Sequence, residues 1–214
     1  MNQILFKKND TLSKEDLKKK NNLRKFKIQF YISLLLILFS ISYFLYFSYT
    51  RNKKENFSQT LLSNFNLERI YSNRENYTLI NSKENIVFSV IGIIEIPKIG
   101  IEYPILSDVN DELLKIAPCR FYGPYTNEVG NLCIAAHNYD NGSFFSNLYK
   151  LSLGDCINIY DSNGKKIVYY VYDKFEILKS DTSCTNQNTN GKKEITLVTC
   201  NNINKNRLVI KAKE

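Results

Sequence analysis

Cys200 ends a short run, Glu194-Ile195-Thr196-Leu197-Val198-Thr199-Cys200, whose apolar and β-branched residues predict a buried strand. The chain then turns polar over Asn201-Asn202-Ile203-Asn204-Lys205-Asn206, and Arg207 opens a second apolar run, Leu208-Val209-Ile210. Two strands joined by so short a loop pair most simply as antiparallel neighbours. A thiol at the end of one would then face a guanidinium at the start of the next, with a fixed positive charge beside the nucleophile. The single histidine, His137, closes another apolar run, Leu132-Cys133-Ile134-Ala135-Ala136. If Cys200 works with an imidazole, no other residue can supply it. A cysteine, a histidine and an arginine then all sit at strand ends of one β domain, where the thiol could act as a nucleophile with the imidazole as its partner. The alternative for Cys200 is a small buried hydrophobe, and for His137 a satisfied surface or core residue.

The elements that must position these groups are mostly strands. Residues 90–96 and 101–105 read as two strands around a turn at 98–100. Residues 132–136, 156–160 and 167–178 add three more, the last broken at Asp173-Lys174, with a hairpin turn over 161–164. Residues 111–117 read as one or two helical turns, 144–151 as a short helix and 180–191 as a loop. Many short strands separated by turn signals predict a closed β-barrel or a sandwich.

The first ninety or so residues differ in texture. Residues 28–47 contain no charge, Pro or Gly, and are about as long as a helix needs to cross a bilayer. Tyr43, Tyr46 and Tyr49 sit toward the outer end, as interfacial aromatics do. Lys18, Lys19, Lys20, Arg24, Lys25 and Lys27 precede the run, and only Arg51, Lys53 and Lys54 follow closely. That bias predicts a cytoplasmic N-terminus and an extracellular C-terminal part. A cleavable signal peptide is the rival, but no Ala occurs before Ala117 to mark a small-residue cleavage site, so an uncleaved signal anchor is preferred. Residues 1–27 read as a mobile basic tail and 48–89 as a polar stalk, in which Leu61, Leu62, Phe65, Leu67 and Ile70 suggest one amphipathic helix.

Charge and cysteine usage exclude other classes. The net charge is +8, of which residues 1–27 contribute +6, so the basic balance belongs to the tail and predicts no nucleic-acid partner. Five cysteines without a CxxC, and one histidine, leave no zinc pattern; neither a metal nor a cofactor is expected. Cys133 and Cys156, in apolar runs, are expected to be buried. Cys119 and Cys184 fall in loop-like contexts, and a disulfide between them stays open.

Thr196-Leu197-Val198-Thr199-Cys200 resembles the TLxTC signature of sortases, the membrane-anchored transpeptidases of Gram-positive cell surfaces. The run from Asn131 to His137 looks like the family's strand leading to its catalytic histidine, and Arg207 matches its catalytic arginine. Gly92 to Pro97 and Tyr103-Pro104-Ile105 look like its opening strands, and Gly154-Asp155 matches a usual turn. One departure is Ala136, where the family often has Gly. The resemblance covers residues 90–214 and implies a mainly β fold, an eight-stranded sortase-type β-barrel with short helices after an N-terminal transmembrane helix. It implies His137, Cys200 and Arg207 as catalytic residues lining one groove; the neighbouring Thr199, Ala136 and Asn138 are expected to contact the substrate. The stretch from His137 to Cys200 is too short for the helical insertion of class B, and no DPW- or DPF-like lid segment of class C precedes the barrel. Class D or a compact class A type remains, with D preferred. Calcium binding, known in some class A members, is not expected, because Glu128 is the only acid between Glu112 and Asp140.

The resemblance implies partners as well: surface proteins with an LPxTG-like C-terminal sorting signal, a lipid II-type peptidoglycan amine as acceptor, and the membrane. Cleavage would fall between Thr and Gly. Two other readings stay open: a cysteine hydrolase using the same residues with water, and a membrane-tethered β domain that binds wall ligands without chemistry.

Overall fold

Among the described residues beyond 75, β-branched and aromatic residues build nine strands, and eight of them close on themselves. The computed structural model describes residues 14–71, 76–80, 85–201 and 203–214, in which the side chains of residues 14–18, 20, 21, 51 and 65–86 are not described. The strands are β1 (Asn76–Ile80), β2 (Asn85–Ile96), β3 (Ile101–Leu106), β4 (Cys119–Tyr122), β5 (Gly130–Ala135), β6 (Cys156–Asp161), β7 (Lys166–Ile177), β8 (Lys193–Cys200) and β9 (Arg207–Lys213). Their order is β2-β3-β4-β5-β8-β9-β7-β6, and β6 pairs back onto β2, which closes an eight-stranded barrel. β1 pairs antiparallel with the first part of β2. A bulge between Val90 and Gly92 shifts the β2–β3 register. Gly92 is required there, because a Cβ would lie 2.4 Å from the Tyr160 carbonyl oxygen.

Alternate residues of the strands fill the barrel: Ile94, Ile105, Ile134, Ile159, Ile195, Leu197 and Ile210 share one core. β8 is buried on both faces. Its inward residues Ile195 and Leu197 join that core, while Val198 packs outside it with Ile177, Cys184 and Val209. The segment between β7 and β8 covers this outer face. Asn131, fully buried, donates from Nδ2 to the carbonyls of Cys184 (3.0 Å) and Asn186 (3.1 Å), and its Oδ1 accepts from the Thr196 hydroxyl at 2.7 Å. Two-sided burial explains the unbroken apolar and β-branched run in this strand.

Several expectations need correction. Residues 144–151 do not form a helix; only Leu148–Lys150 makes a 3-10 turn. Phe144, Phe145, Leu148 and Leu151 all enter the main core, so the helical-looking spacing reflects a loop that plugs one barrel end. Cys119 opens β4 and Cys184 lies in the 3-10 turn Ser183–Thr185; both are buried, and all five cysteines are free. Cys133 is buried, whereas Cys156, the first residue of β6, is half-buried. The pairing of β1 with β2 lies in the segment expected to be a stalk.

The chain divides into two units, Met1–Arg51 and Asn52–Glu214. The helix α1 (Lys14–Tyr71) includes residues 14–27, expected as a mobile tail; their Lys, Leu, Glu and Arg favour helix by propensity alone. Residues 1–13 of that tail lie outside the described residues. Asn22–Asn64 is long and apolar enough to cross a membrane, and no part of its most apolar stretch is buried. Within the second unit, Leu61 and Leu62 are buried against Phe88, Val90, Ile93, Leu106, Leu113 and Ile116. Phe65, Leu67 and Ile70 of the expected amphipathic stripe have side chains outside the described set.

Candidate active site

β5 and β8 run parallel, with Ala135 opposite Val198, so both strands deliver their C-terminal ends to the same end of the barrel. The Ala136 N–H donates to the Val198 carbonyl at 3.2 Å and carries the ladder one residue past β5. Two side chains tie the strand ends further. The Thr199 hydroxyl donates to the Ala136 carbonyl at 2.8 Å, and Asn138 Nδ2 donates to the Cys200 carbonyl at 2.7 Å. His137 sits between these ties, on the strand end beside that of Cys200.

β8 and β9 pair antiparallel, and Cys200 faces Arg207 as the last pair of their ladder. Thr199 is buried, Cys200 is exposed at the very end of the strand, and Arg207 is half-buried. The loop joining them is closed by the Asn201 N–H on the Asn206 carbonyl (2.8 Å) and the Lys205 N–H on the Asn201 carbonyl (3.0 Å). Glu176, which lies opposite Leu208 in the β7–β9 ladder, holds the same loop: its carboxylate accepts from Asn201 Nδ2 at 2.5 Å and from Asn204 Nδ2 at 2.6 Å. Those amides, Asn204 foremost, hold the Glu176 carboxyl below the usual carboxylate range. Among the described residues, no hydrogen bond or ion pair joins the side chains of His137, Cys200 and Arg207 to one another.

Burial holds the His137 imidazole below its ordinary pKa. The Asp111 carboxylate works in the opposite direction, and the Lys115 and Lys54 ammonium groups add to the depression. The ring lies 4.9 Å from that of Tyr139, tilted by 35°. The buried thiols behave otherwise than a nucleophile requires: burial pushes Cys119 and Cys133 up to about 12, and Cys184 upward as well.

A nucleophile exposed at a strand end, a guanidinium paired with it across a hairpin and an imidazole on the adjacent parallel strand can together carry an acyl transfer. A family model for the Sortase domain matches residues 94–214, more than half of the chain. The chain belongs to the sortase family. Sortases are cysteine transpeptidases, and the eight-stranded barrel is the fold of the family. Among curated proteins, this sortase is 31% identical over 125 residues to Sortase A of Bacillus anthracis and spans 55% of that relative's length. Among solved structures it resembles the Clostridium perfringens Sortase D5 transpeptidase, with a TM-score of 0.61 and 28% identity, over 74% of this chain and 98% of that one. It also resembles Sortase A from Corynebacterium diphtheriae, with a TM-score of 0.53 and 28% identity, over 58% of this chain and 60% of that one.

The six residues singled out from the sequence all lie at this end of the sortase barrel. Ala136 and Thr199 are buried beneath it, and Asn138 bridges to the Cys200 backbone. Sequence reasoning missed Tyr139, Glu176 and the charges facing His137. Tyr139 follows the histidine by two residues in a polar loop and could have been flagged as an aromatic neighbour. Glu176 carried no local signal, because only the β7–β9 register brings it to the loop.

Proposed function

We propose that this sortase is a membrane-anchored transpeptidase of class D type. It cleaves an LPxTG-like sorting signal between Thr and Gly and transfers the acyl part to a peptidoglycan-precursor amine. The reading rests on the pairing of Cys200 with Arg207 beside the strand end that carries His137. The Cys200 thiol passes its proton to His137 as its sulfur attacks the Thr carbonyl carbon, while Arg207 donates hydrogen bonds to the developing oxyanion. His137 gives a proton to the leaving glycine amine as the C–N bond breaks and a thioester remains. The incoming amine attacks that thioester, His137 takes the proton back, and the C–S bond breaks to release the sulfur. Thr199, Ala136 and Asn138 form the groove floor, Asn138 also positioning the Cys200 backbone. The resemblance to the class D structure over nearly its whole length supports the class. The apolar stretch of α1 and the lysine-rich residues before it support a single-pass anchor with the barrel outside the cell.

The test is cleavage of a fluorogenic LPxTG-type peptide by the full chain in detergent, with and without a glycine- or diamino acid-based amine. The expected result is slow hydrolysis alone and an amide product when amine is added. A product ratio indifferent to amine would make the protein a hydrolase, and no cleavage of any LPxTG-type peptide would refute the substrate. His137→Ala should lower turnover by on the order of 10²–10⁴-fold. Arg207→Ala should cost on the order of 10²–10³-fold. Arg207→Lys should restore little, since an ammonium cannot reproduce the planar fork.

A further inference from the structure

The loop that carries His137 is held in a backbone shape that needs support. Phe144 has φ 54°, in the left-handed region that a bulky residue rarely occupies. It forms an isolated antiparallel bridge with Asn138, and the Phe145 N–H donates to the His137 carbonyl at 3.1 Å, so Phe144 closes the loop directly over the histidine. The Tyr139 N–H donates to Ser146 Oγ at 3.0 Å, on the far side of the same loop. The Phe144 amide itself points away from the loop. It donates to the Tyr103 hydroxyl oxygen at 3.3 Å, and the Tyr103 hydroxyl donates in turn to Glu55 Oε1 at 2.8 Å. The rings continue the path: Tyr103 meets Phe144 edge-on at 5.1 Å, Phe144 lies 5.6 Å from Tyr139, and Tyr139 lies 4.9 Å from His137.

Tyr103 is buried in β3 and Glu55 stands on α1, close before the buried Leu61 and Leu62. Burial, with the Glu55 carboxylate adding to it, pushes the Tyr103 phenol up to about 12. At neutral pH its proton therefore stays on and is given to Glu55. With its proton given to Glu55, the phenol oxygen is left to accept, and it accepts from the Phe144 amide with the Ser143 side chain beside it.

We infer that Tyr103 and Glu55 are positioning residues for His137: Glu55 orients the Tyr103 hydroxyl, which pins the Phe144 amide and so fixes the loop that aims the imidazole toward the end of β8. The inference rests on the proposed role of His137 as the proton carrier. It ties the alignment of the site to the part of α1 that follows the apolar stretch. Neither Tyr103 nor Glu55 touches the reacting atoms.

The chain contains a single histidine, so the imidazole Cε1–H signal of the full chain in detergent micelles, purified through a tag without histidine, reads His137 directly. Four proteins are compared: the parent, Tyr103→Phe, Glu55→Leu and Glu55→Gln. Glutamine keeps an acceptor for the Tyr103 hydroxyl, and leucine does not. Both remove the same charge, and Asp111, Lys115 and Lys54 face the imidazole unchanged in all four. Tyr103→Phe and Glu55→Leu are expected to move the His137 titration up toward that of a free imidazole, because a loosened loop admits water. They should lower kcat for the peptide on the order of 10-fold to 10²-fold, as small misplacements of a reacting group do, with KM little changed. Glu55→Gln is expected to match the parent in both readouts.

A parental His137 titration in Tyr103→Phe and Glu55→Leu would overturn the inference, whatever happened to turnover. A shifted titration with parental turnover would uphold the hold on His137 and refute its catalytic role instead. Should Tyr103→Phe fail to fold, the Glu55→Leu and Glu55→Gln pair reads the same hydrogen bond from its more accessible end.

Discussion

Replacing Thr199 with valine removes one hydroxyl and tests whether the tie between the β5 and β8 ends aligns the site. The Thr199 hydroxyl is buried and donates to the Ala136 carbonyl at 2.8 Å, one residue before His137 and one before Cys200. A made hydrogen bond contributes about 0.5–1.5 kcal/mol net, and a buried carbonyl left without its partner costs about 1–3 kcal/mol. Ala136 is 6% exposed, so water does not readily replace the lost donor. A loss of about 1–3 kcal/mol is therefore expected, which lowers Tm by roughly 2–12 °C for a chain of this size. Thr199→Ser keeps the hydroxyl and deletes a buried methyl, a loss of about 1 kcal/mol. Both variants are thus destabilised, but only the valine one loses the tie. If the tie aligns His137 with Cys200, Thr199→Val should lose about tenfold or more in kcat/KM through misplacement, and Thr199→Ser should stay near the parent. Thermal melts beside fluorogenic peptide cleavage decide it. A valine variant with parental turnover, or a serine variant as inactive as the valine one, would refute the reasoning.

The remaining predictions concern titration and reactivity. The folded pKa of His137 lies below the free value of 6.5, so on acidification the unfolded chain takes up its proton first and stability falls as pH drops through that value. Denaturant unfolding at about pH 7.5 and pH 5.5 should show the parent losing more stability than His137→Gln over that interval; equal losses would mean that His137 is not held neutral by burial. Alkylation followed by peptide mapping should modify Cys200 first and the half-buried Cys156 more slowly. It should reach Cys119, Cys133 and Cys184 only after unfolding, since burial disfavours their thiolates.

What the sequence made legible was local. β8 could be read because two-sided burial leaves an unbroken apolar and β-branched run, and the β8–β9 hairpin because six polar-rich residues separate two such runs. The antiparallel pairing that sets Cys200 opposite Arg207 followed from that shortness alone. The parallel pairing of β5 with β8 carries no local signal, since the two strands lie far apart in the chain and meet only through the closed barrel. Phe144, Phe145, Leu148 and Leu151 imitate the apolar face of a helix, yet all four plug the barrel end from an irregular loop. Sparse leucines before residue 28 suggested a mobile tail, but helix formation over 14–27 needs only favourable propensity. Glu55 and Tyr103 were invisible as a pair, because a long stretch of chain separates them and each alone reads as an ordinary stalk or strand residue.

The central claim, that Cys200 carries the acyl group, is tested most directly by trapping it. The full chain is mixed with an LPxTG-type peptide without an added amine, quenched in acid during the first turnover, weighed intact and mapped by peptide mass. The account predicts one added acyl fragment, ending at the peptide's Thr, on the segment that contains Cys200, and no adduct in Cys200→Ala. An adduct on any other cysteine, or continued cleavage by Cys200→Ala, would contradict it.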